Sequence, residues 1–235
     1  MNEFIFTSII YTINSYRLNI QKGISMYLIN IALNPKKNKT QKAFQNPNIF
    51  HGILESSYEE ENNQRERKLW TLLNSSSGTS LVILSSTQPN VGHIISQVGY
   101  SNNPDAFLIR DYTPFLSRIK TGDTYHFVLT AFPTKAYSNH DGGQTRGTRK
   151  ALQKAEEQVE WLKHQGERLG FLVNDVKIVK QQQFFFKKPT NNTVNVACVT
   201  FTGNLMVTDR DLFEEALVSG IGRGKCYGNG LMLIS

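Results

Sequence analysis

"VNVACVTFTGNLMVTDRDLFEEALVSGIGRGKCYGNGLMLIS", residues 194–235, sets the reading of the whole chain. It begins as an apolar strand run, read here as interrupted by a Gly203-Asn204 turn. Asp209 stands where a helix N-cap belongs and Gly220 where that helix stops. "GIGRGKCYGNG" (220–230) then places five glycines and two cations in eleven positions, before a closing strand "GLMLIS". Strand, helix, loop and strand make half of an α+β unit.

The residues before it supply the other half. "GTRKALQKAEEQVEWLKHQGERLG" (147–170) sets Leu152, Ala155, Val159 and Leu162 at helical spacing, and "FLVNDVKIVK" (171–180) reads as a strand. Further upstream, "YLINIAL" (27–33) reads as a buried strand, followed by a basic loop with Lys36, Lys37, Lys39 and Lys42. "NPNIFHGILESSY" (46–58) is a helix with Asn46 as N-cap and Pro47 at its first position. Ile49, Phe50, Ile53, Leu54 and Tyr58 fall on one face of it. "RKLWTLL" (67–73) and "SLVILSS" (80–86) read as strands, "NVGHIISQVGY" (90–100) as a helix, and "TYHFVLTAF" (124–132) as the fourth strand, shared with the second half. The order β-α-β-β-α-β therefore occurs twice, that of two tandem ferredoxin-like (RRM-like, βαββαβ) domains of α+β class. The expected division is residues 26–135 and 136–235. Residues 1–25 are expected to be an N-terminal extension outside the fold, ahead of Met26 and its clean strand pattern.

A formal charge of +7 over 235 residues favours a polyanionic partner. Two cysteines, Cys198 and Cys226, are too few for a disulfide framework or a cysteine zinc site, and point to a reducing, cytoplasmic setting. No apolar run is long enough to span a membrane.

Glycine-rich basic loops hold phosphates, but this one fits neither cofactor pattern. Lys225 is followed by Cys226 where a nucleotide-hydrolase loop needs Ser or Thr. The dinucleotide fingerprint fails at Lys225, and no helix follows. We therefore expect no small-molecule cofactor. Two readings stay open on spacing alone. Gly220, Gly222, Arg223 and Lys225 face a polynucleotide backbone, or the glycines serve a connection that needs positive φ. A second basic spot, Arg146, Arg149, Lys150 and Lys154, crowds the expected start of the 147–170 helix, where the dipole disfavours cations. A bound phosphate would offset that repulsion, and we favour this over a solvated face.

No DxD, HExxH or CxxC spacing suggests a metal, so histidine carries the candidate chemistry. Of the five, His126 alternates with apolar neighbours, His164 lies on a charged helix face, and His93 and His140 have no constellation. His51 sits one turn into the Pro47 helix at the edge of the Phe50–Leu54 face. A boundary histidine with no task is the plainer reading of that position alone. RNA, however, offers a reaction for which one histidine and clustered cations suffice. Its 2′-OH is an internal nucleophile that needs only alignment, proton transfer and charge stabilisation.

At this point the residues resemble a family. "MYLINIALNP", "NPNIFHGIL", "RERKLW", "YHFVLTAFPTK", "TRKALQKAEEQVEWL" and, most specifically, Gly220–Leu231 as G-[IV]-G-x-x-K-x-x-G-x-G-L are similar to the CasE-type endoribonucleases of type I-E CRISPR systems. The resemblance spans Met26 to Ser235. It implies tandem ferredoxin-like domains and a metal-independent endoribonuclease that binds CRISPR repeat stem-loops. Cleavage would proceed by 2′-OH attack to a 2′,3′-cyclic phosphate, in company with other Cascade subunits. It puts His51 at the catalytic position, and the 146–150 and "GIGRGK" segments in RNA-contacting regions. Family members often have tyrosine where this chain has Asn48, and some have lysine where it has Ser56. The alternative is a subunit that binds the hairpin without cutting it.

Overall fold

The computed structural model describes residues 25–58, 67–137, 148–187 and 193–235. The 1–24 segment, Arg146 and His140 lie outside the described residues. β1 (Tyr27–Ala32) is an inner strand of a four-stranded antiparallel sheet, flanked by β3 (Gly78–Ser85) and β4 (Phe107–Asp111), with β2 (Leu69–Ser75) beyond β3. α1 (Asn38–Gln45) and α2 (Asn48–Glu55) connect β1 to β2, and α3 (Val91–Val98) follows β3. The strand order 2-3-1-4 is that of a ferredoxin-like domain.

The second sheet repeats the arrangement. β5 (Thr124–Ala131) lies between β9 (Thr193–Val207) and β10 (Met232–Ile234), with β8 (Phe171–Lys187) outside β9. α4 (Ala155–Arg168) precedes β8 and α5 (Arg210–Ser219) precedes β10. A separate hairpin of β6 (Thr134–Tyr137) and β7 (Thr148–Ala151) is inserted between β5 and α4. Two ferredoxin-like units in tandem are thus the fold.

Four details differ from the sequence reading, each for a local reason. The fourth strand of the first sheet is Phe107–Asp111, not 124–132, which is the first strand of the second sheet. "FLIRD" is half-exposed along its length and carries two charges, so its apolar signal is weak. The lysine-rich 36–42 stretch is not a loop but leads into α1, held by the buried Thr40 and Ala43, with Thr40 Oγ1 donating to Val98 O at 3.0 Å. No turn occurs at Gly203-Asn204. β9 runs straight through, and Gly203 faces a bulge around Asp175 (φ 51°), where a Cβ would lie 2.9 Å from Asn174 O. Finally, α4 begins at Ala155, because residues 148–151 pair with 134–137.

Packing joins the units. Phe50, Ile53, Leu54, Ile94 and Val98 pack from the helices onto Ile29, Ile31, Leu81 and Ile83 of the first sheet. The other face of that sheet, with Leu28, Leu69, Val82 and Leu84, belongs to the same apolar cluster as Phe127, Phe201, Phe213, Leu217 and Met232 of the second unit. β3 is buried on both faces for this reason, which explains its unbroken apolar run.

Candidate functional site

α2 begins where Asn46 Oδ1 accepts the Asn48 N–H at 3.1 Å and Pro47 takes a helical φ of −58°. Phe50, fully buried, anchors the helix with its ring centroid 5.4 Å from that of Trp70. His51 is thereby turned to the boundary, its side chain 37% exposed. Its Nδ1 lies 3.7 Å from Oε1 of Glu55, one helical turn on. Glu55 Oε2 accepts from Lys68 Nζ at 3.2 Å, just before β2.

The glycine loop comes to the same place from the other end of the chain. α5 is capped by Asp209, whose Oδ1 accepts from the N–H groups of Asp211 and Leu212, and ends at Gly220 (φ 77°). The 3₁₀ turn Lys225–Tyr227 packs against α2 and β2. Gly228 (φ 79°) lies so close to Trp70 that an added Cβ would sit 2.7 Å from the ring. Gly220 leaves room for Leu69 and the Lys225 chain, and Gly222 for Trp161. The Gly220 N–H donates to Ala216 O and that of Ile221 to Gly230 O. The glycines of this loop are therefore required by backbone conformation and close packing. Its charge comes from the exposed Arg223 and the half-buried Lys225.

Lys225 does not sit alone. Arg67 Nη1 donates to Ser219 O, at the end of α5, at 3.1 Å. Burial, and next the nearby Arg67 guanidinium, lower the Lys225 pKa from its ordinary value. A histidine helix, a carboxylate and three cations, Arg67, Lys68 and Lys225, thus meet where both units join. Such a junction can exchange a proton through the imidazole and stabilise charge on a phosphate.

Of the other residues expected to contact a polyanion, Arg149 and Lys150 are exposed on β7, with Lys150 Nζ 5.7 Å from the Tyr137 ring centroid. Neither lies at a helix N-terminus, contrary to the sequence expectation, so no helix dipole opposes their charges. Lys154 alone occupies the N-cap position of α4. The hairpin is tied to α4 through Leu152, whose N–H reaches Pro133 O and whose carbonyl takes Gln158 Nε2.

The remaining described histidines are occupied elsewhere. His126 Nε2 meets Thr202 Oγ1 at 3.0 Å, His164 lies between Glu160 and Glu167, and His93 Nε2 is 3.1 Å from Ser56 Oγ. Lys37 bonds the carbonyls of Ile95 and Ser96 at 2.8 Å, and Lys39 bonds Gln97, so both pin α1 to the end of α3. No group of three or more His, Cys, Asp or Glu side chains fit to hold a metal occurs among the described residues. No helix among them is long and apolar enough to cross a membrane. Glu55, Arg67 and Lys68 were missed from sequence. The i,i+4 spacing of His51 and Glu55 was the one available signal for the first.

Known proteins share this architecture. The CRISPR-associated endoribonuclease Cse3 of Thermus thermophilus is 26% identical over 222 residues, covering 89% of this chain and all of that protein. The structure of Thermus thermophilus Cse3 bound to an RNA representing a pre-cleavage complex superimposes with a TM-score of 0.75 at 25% identity, covering 90% of this chain and 99% of that one. Cas6e from Escherichia coli shares the fold, with a TM-score of 0.59 at 18% identity over 90% of this chain and 98% of its own. The sequence pattern described as CRISPR associated protein matches residues 26–235, which takes in both sheets, the His51 helix and the glycine loop. The chain belongs to the CRISPR-associated protein family.

Proposed function

We propose that this protein is an endoribonuclease that binds CRISPR repeat hairpins and cuts precursor CRISPR RNA, with His51 as the proton-transfer group. The observation that carries the reading is the packing of the His51 helix against the Lys225 turn, with Arg67 beside Lys225. His51 takes the proton of the ribose 2′-OH as O2′ attacks the adjacent phosphorus. The P–O5′ bond breaks, and the departing 5′-oxygen receives a proton. The ends are a 2′,3′-cyclic phosphate and a 5′-hydroxyl, with no net proton consumed. Lys225 and Arg67 stabilise the charge that gathers on the phosphate oxygens. RNA supplies the nucleophile, so the step needs no metal, and DNA is not a substrate.

Arg149, Lys150, Lys154, Arg223 and, outside the described residues, Arg146 hold the stem by phosphate contacts, as suits the shape-read grooves of A-form RNA. Gly220 and Gly222 act by shaping the loop. The chain works in the cytoplasm beside other subunits of an RNA-guided surveillance complex. We place the division between its two units at residues 112–123, between the last strand of one sheet and the first of the other. The test is cleavage of the repeat hairpin in EDTA by wild type and His51→Ala, with binding measured for both. Cutting by wild type, with binding but no cutting by the variant, supports the reading. Binding without cutting by both makes the protein a hairpin-binding subunit.

A further inference from the structure

Glu55 is the last residue of α2, at the helix end whose partial charge repels a carboxylate. Its two oxygens point to different partners. Oε1 faces His51 Nδ1 at 3.7 Å, and Oε2 holds Lys68 Nζ at 3.2 Å. The Lys68 side chain is only 8% exposed, and its ammonium lies 4.7 Å from the centroid of the Tyr58 ring. Tyr58 is itself buried, its hydroxyl 2.8 Å from Ser85 Oγ at the end of β3. A buried column thus runs from the first sheet through Tyr58 and Lys68 to a carboxylate that would otherwise be mobile and badly placed. At its outer end stands the imidazole.

We infer that Glu55, clamped by Lys68, is a positioning residue that fixes the orientation and tautomer of the His51 ring. The inference rests on the reading of His51 as the catalytic group. At 3.7 Å the pair is longer than a hydrogen bond, but the carboxylate has no proton to offer and its negative charge favours the tautomer whose N–H faces it. With Nδ1 protonated, the lone pair lies on Nε2, on the side of the ring away from Glu55, and is free for the 2′-OH. Lys68 keeps Glu55 from turning toward the cations of the glycine loop, Lys225 and its neighbour Arg67. Without Lys68 the carboxylate would compete with RNA phosphate for them. The arrangement also supplies, from the residue before β2, a cation beside the histidine helix of a chain that has Ser56 where some family members have lysine.

The experiment compares Glu55→Gln, Lys68→Met, Lys68→Arg and His51→Ala in the full chain. It measures single-turnover cleavage, hairpin affinity and the ring ¹⁵N shifts of His51. Glu55 is 41% exposed, so its variant keeps the fold even where Lys68→Met weakens it. Glu55→Gln is expected to slow cleavage by about 10- to 100-fold, the scale of a small misplacement of a reacting group. Hairpin affinity should stay equal or become tighter, because a negative charge is removed, and the ¹⁵N shifts should move away from the Nδ1–H form. Lys68→Arg should recover most of the rate that Lys68→Met loses. A Glu55→Gln enzyme that cuts within about twofold of wild type, with unchanged ¹⁵N shifts, overturns the inference. If His51→Ala also cuts normally, the catalytic reading falls with it. If His51→Ala is inactive, only the role of Glu55 is wrong.

Discussion

Arg67 donates from Nη1 to the carbonyl oxygen of Ser219 at 3.1 Å, linking the entry to β2 with the last residue of α5. The bond joins the two ferredoxin-like units and holds the guanidinium beside Lys225, the one charged group of the glycine loop that is half-buried. A cation at a helix C-terminus is favoured in its own right, so Arg67 has a structural task as well as the electrostatic one proposed.

Replacement of Arg67 by Met separates the two tasks. Loss of one exposed hydrogen bond should lower the unfolding free energy by about 1 kcal/mol in denaturant titrations. Loss of a phosphate-neutralising cation should lower the slope of log affinity against log salt by about 1. A stability change without a change in slope would leave Arg67 as a strut only.

The depressed pKa of Lys225, caused by burial and then by Arg67, should give the proposed RNA contact a pH dependence. Free protein loses the ammonium at lower pH than an ordinary lysine, so hairpin affinity should begin to fall earlier on the alkaline side. Bound phosphate restores the charge, and binding there should take up a proton, measurable by calorimetry in buffers of different ionisation enthalpy. The sign for stability is opposite. Between the folded pKa and the ordinary lysine value the unfolded chain binds more protons, so the folded state gains as pH rises through that window. Lys225→Met should remove both effects.

Gly228→Ala tests whether the loop needs its backbone geometry. The position combines a φ of 79° with a Cβ that would meet Trp70 at 2.7 Å. Strain and overpacking together should cost about 2–4 kcal/mol. Thermal melts report that loss, and cleavage should weaken further than stability alone requires, because the Lys225 turn shifts against α2.

The hairpin cations make a contrasting case. Arg149 and Lys150 are exposed on β7, away from the His51 helix in sequence and sheet. Arg149→Ala with Lys150→Ala should reduce the salt slope by about 2, with affinity falling alike for different stem sequences. Single-turnover cleavage at saturating enzyme should stay near the wild-type rate.

What could be read before folding was local. Asn46, Pro47 and the Phe50, Ile53, Leu54 face announce α2, because cap, φ and periodicity act within one or two turns. Asp209 and Gly220 delimit α5 for the same reason. The misses come from pairing across sequence. "TRKA" continues a helical pattern, yet its backbone bonds go to 134–137. Asp141-Gly142-Gly143 between them is a turn signal, but the flanking segments are too short and too polar to read as strands. Lys68 reads as a surface lysine in "RKLW" until Glu55 and Tyr58 are folded onto it. His51 itself was legible as a candidate only because RNA chemistry needs so little. Its surroundings required the fold.

The junction of the two units has a consequence for synthesis. His51, Glu55 and Lys68 lie early in the chain, whereas Ser219 and Lys225, which hold and complete the cation cluster, are made last among its parts. On the proposed mechanism, a polypeptide still emerging from the ribosome therefore carries His51, Glu55 and Lys68 without Lys225 and without the Ser219 anchor of Arg67, next to messenger RNA that it must not cut. Translation must pass Lys225, and the glycine loop must close over Leu69 and Trp70, before the proposed centre is complete. A fragment of residues 26–219, lacking that closure, should be inert toward any transcript.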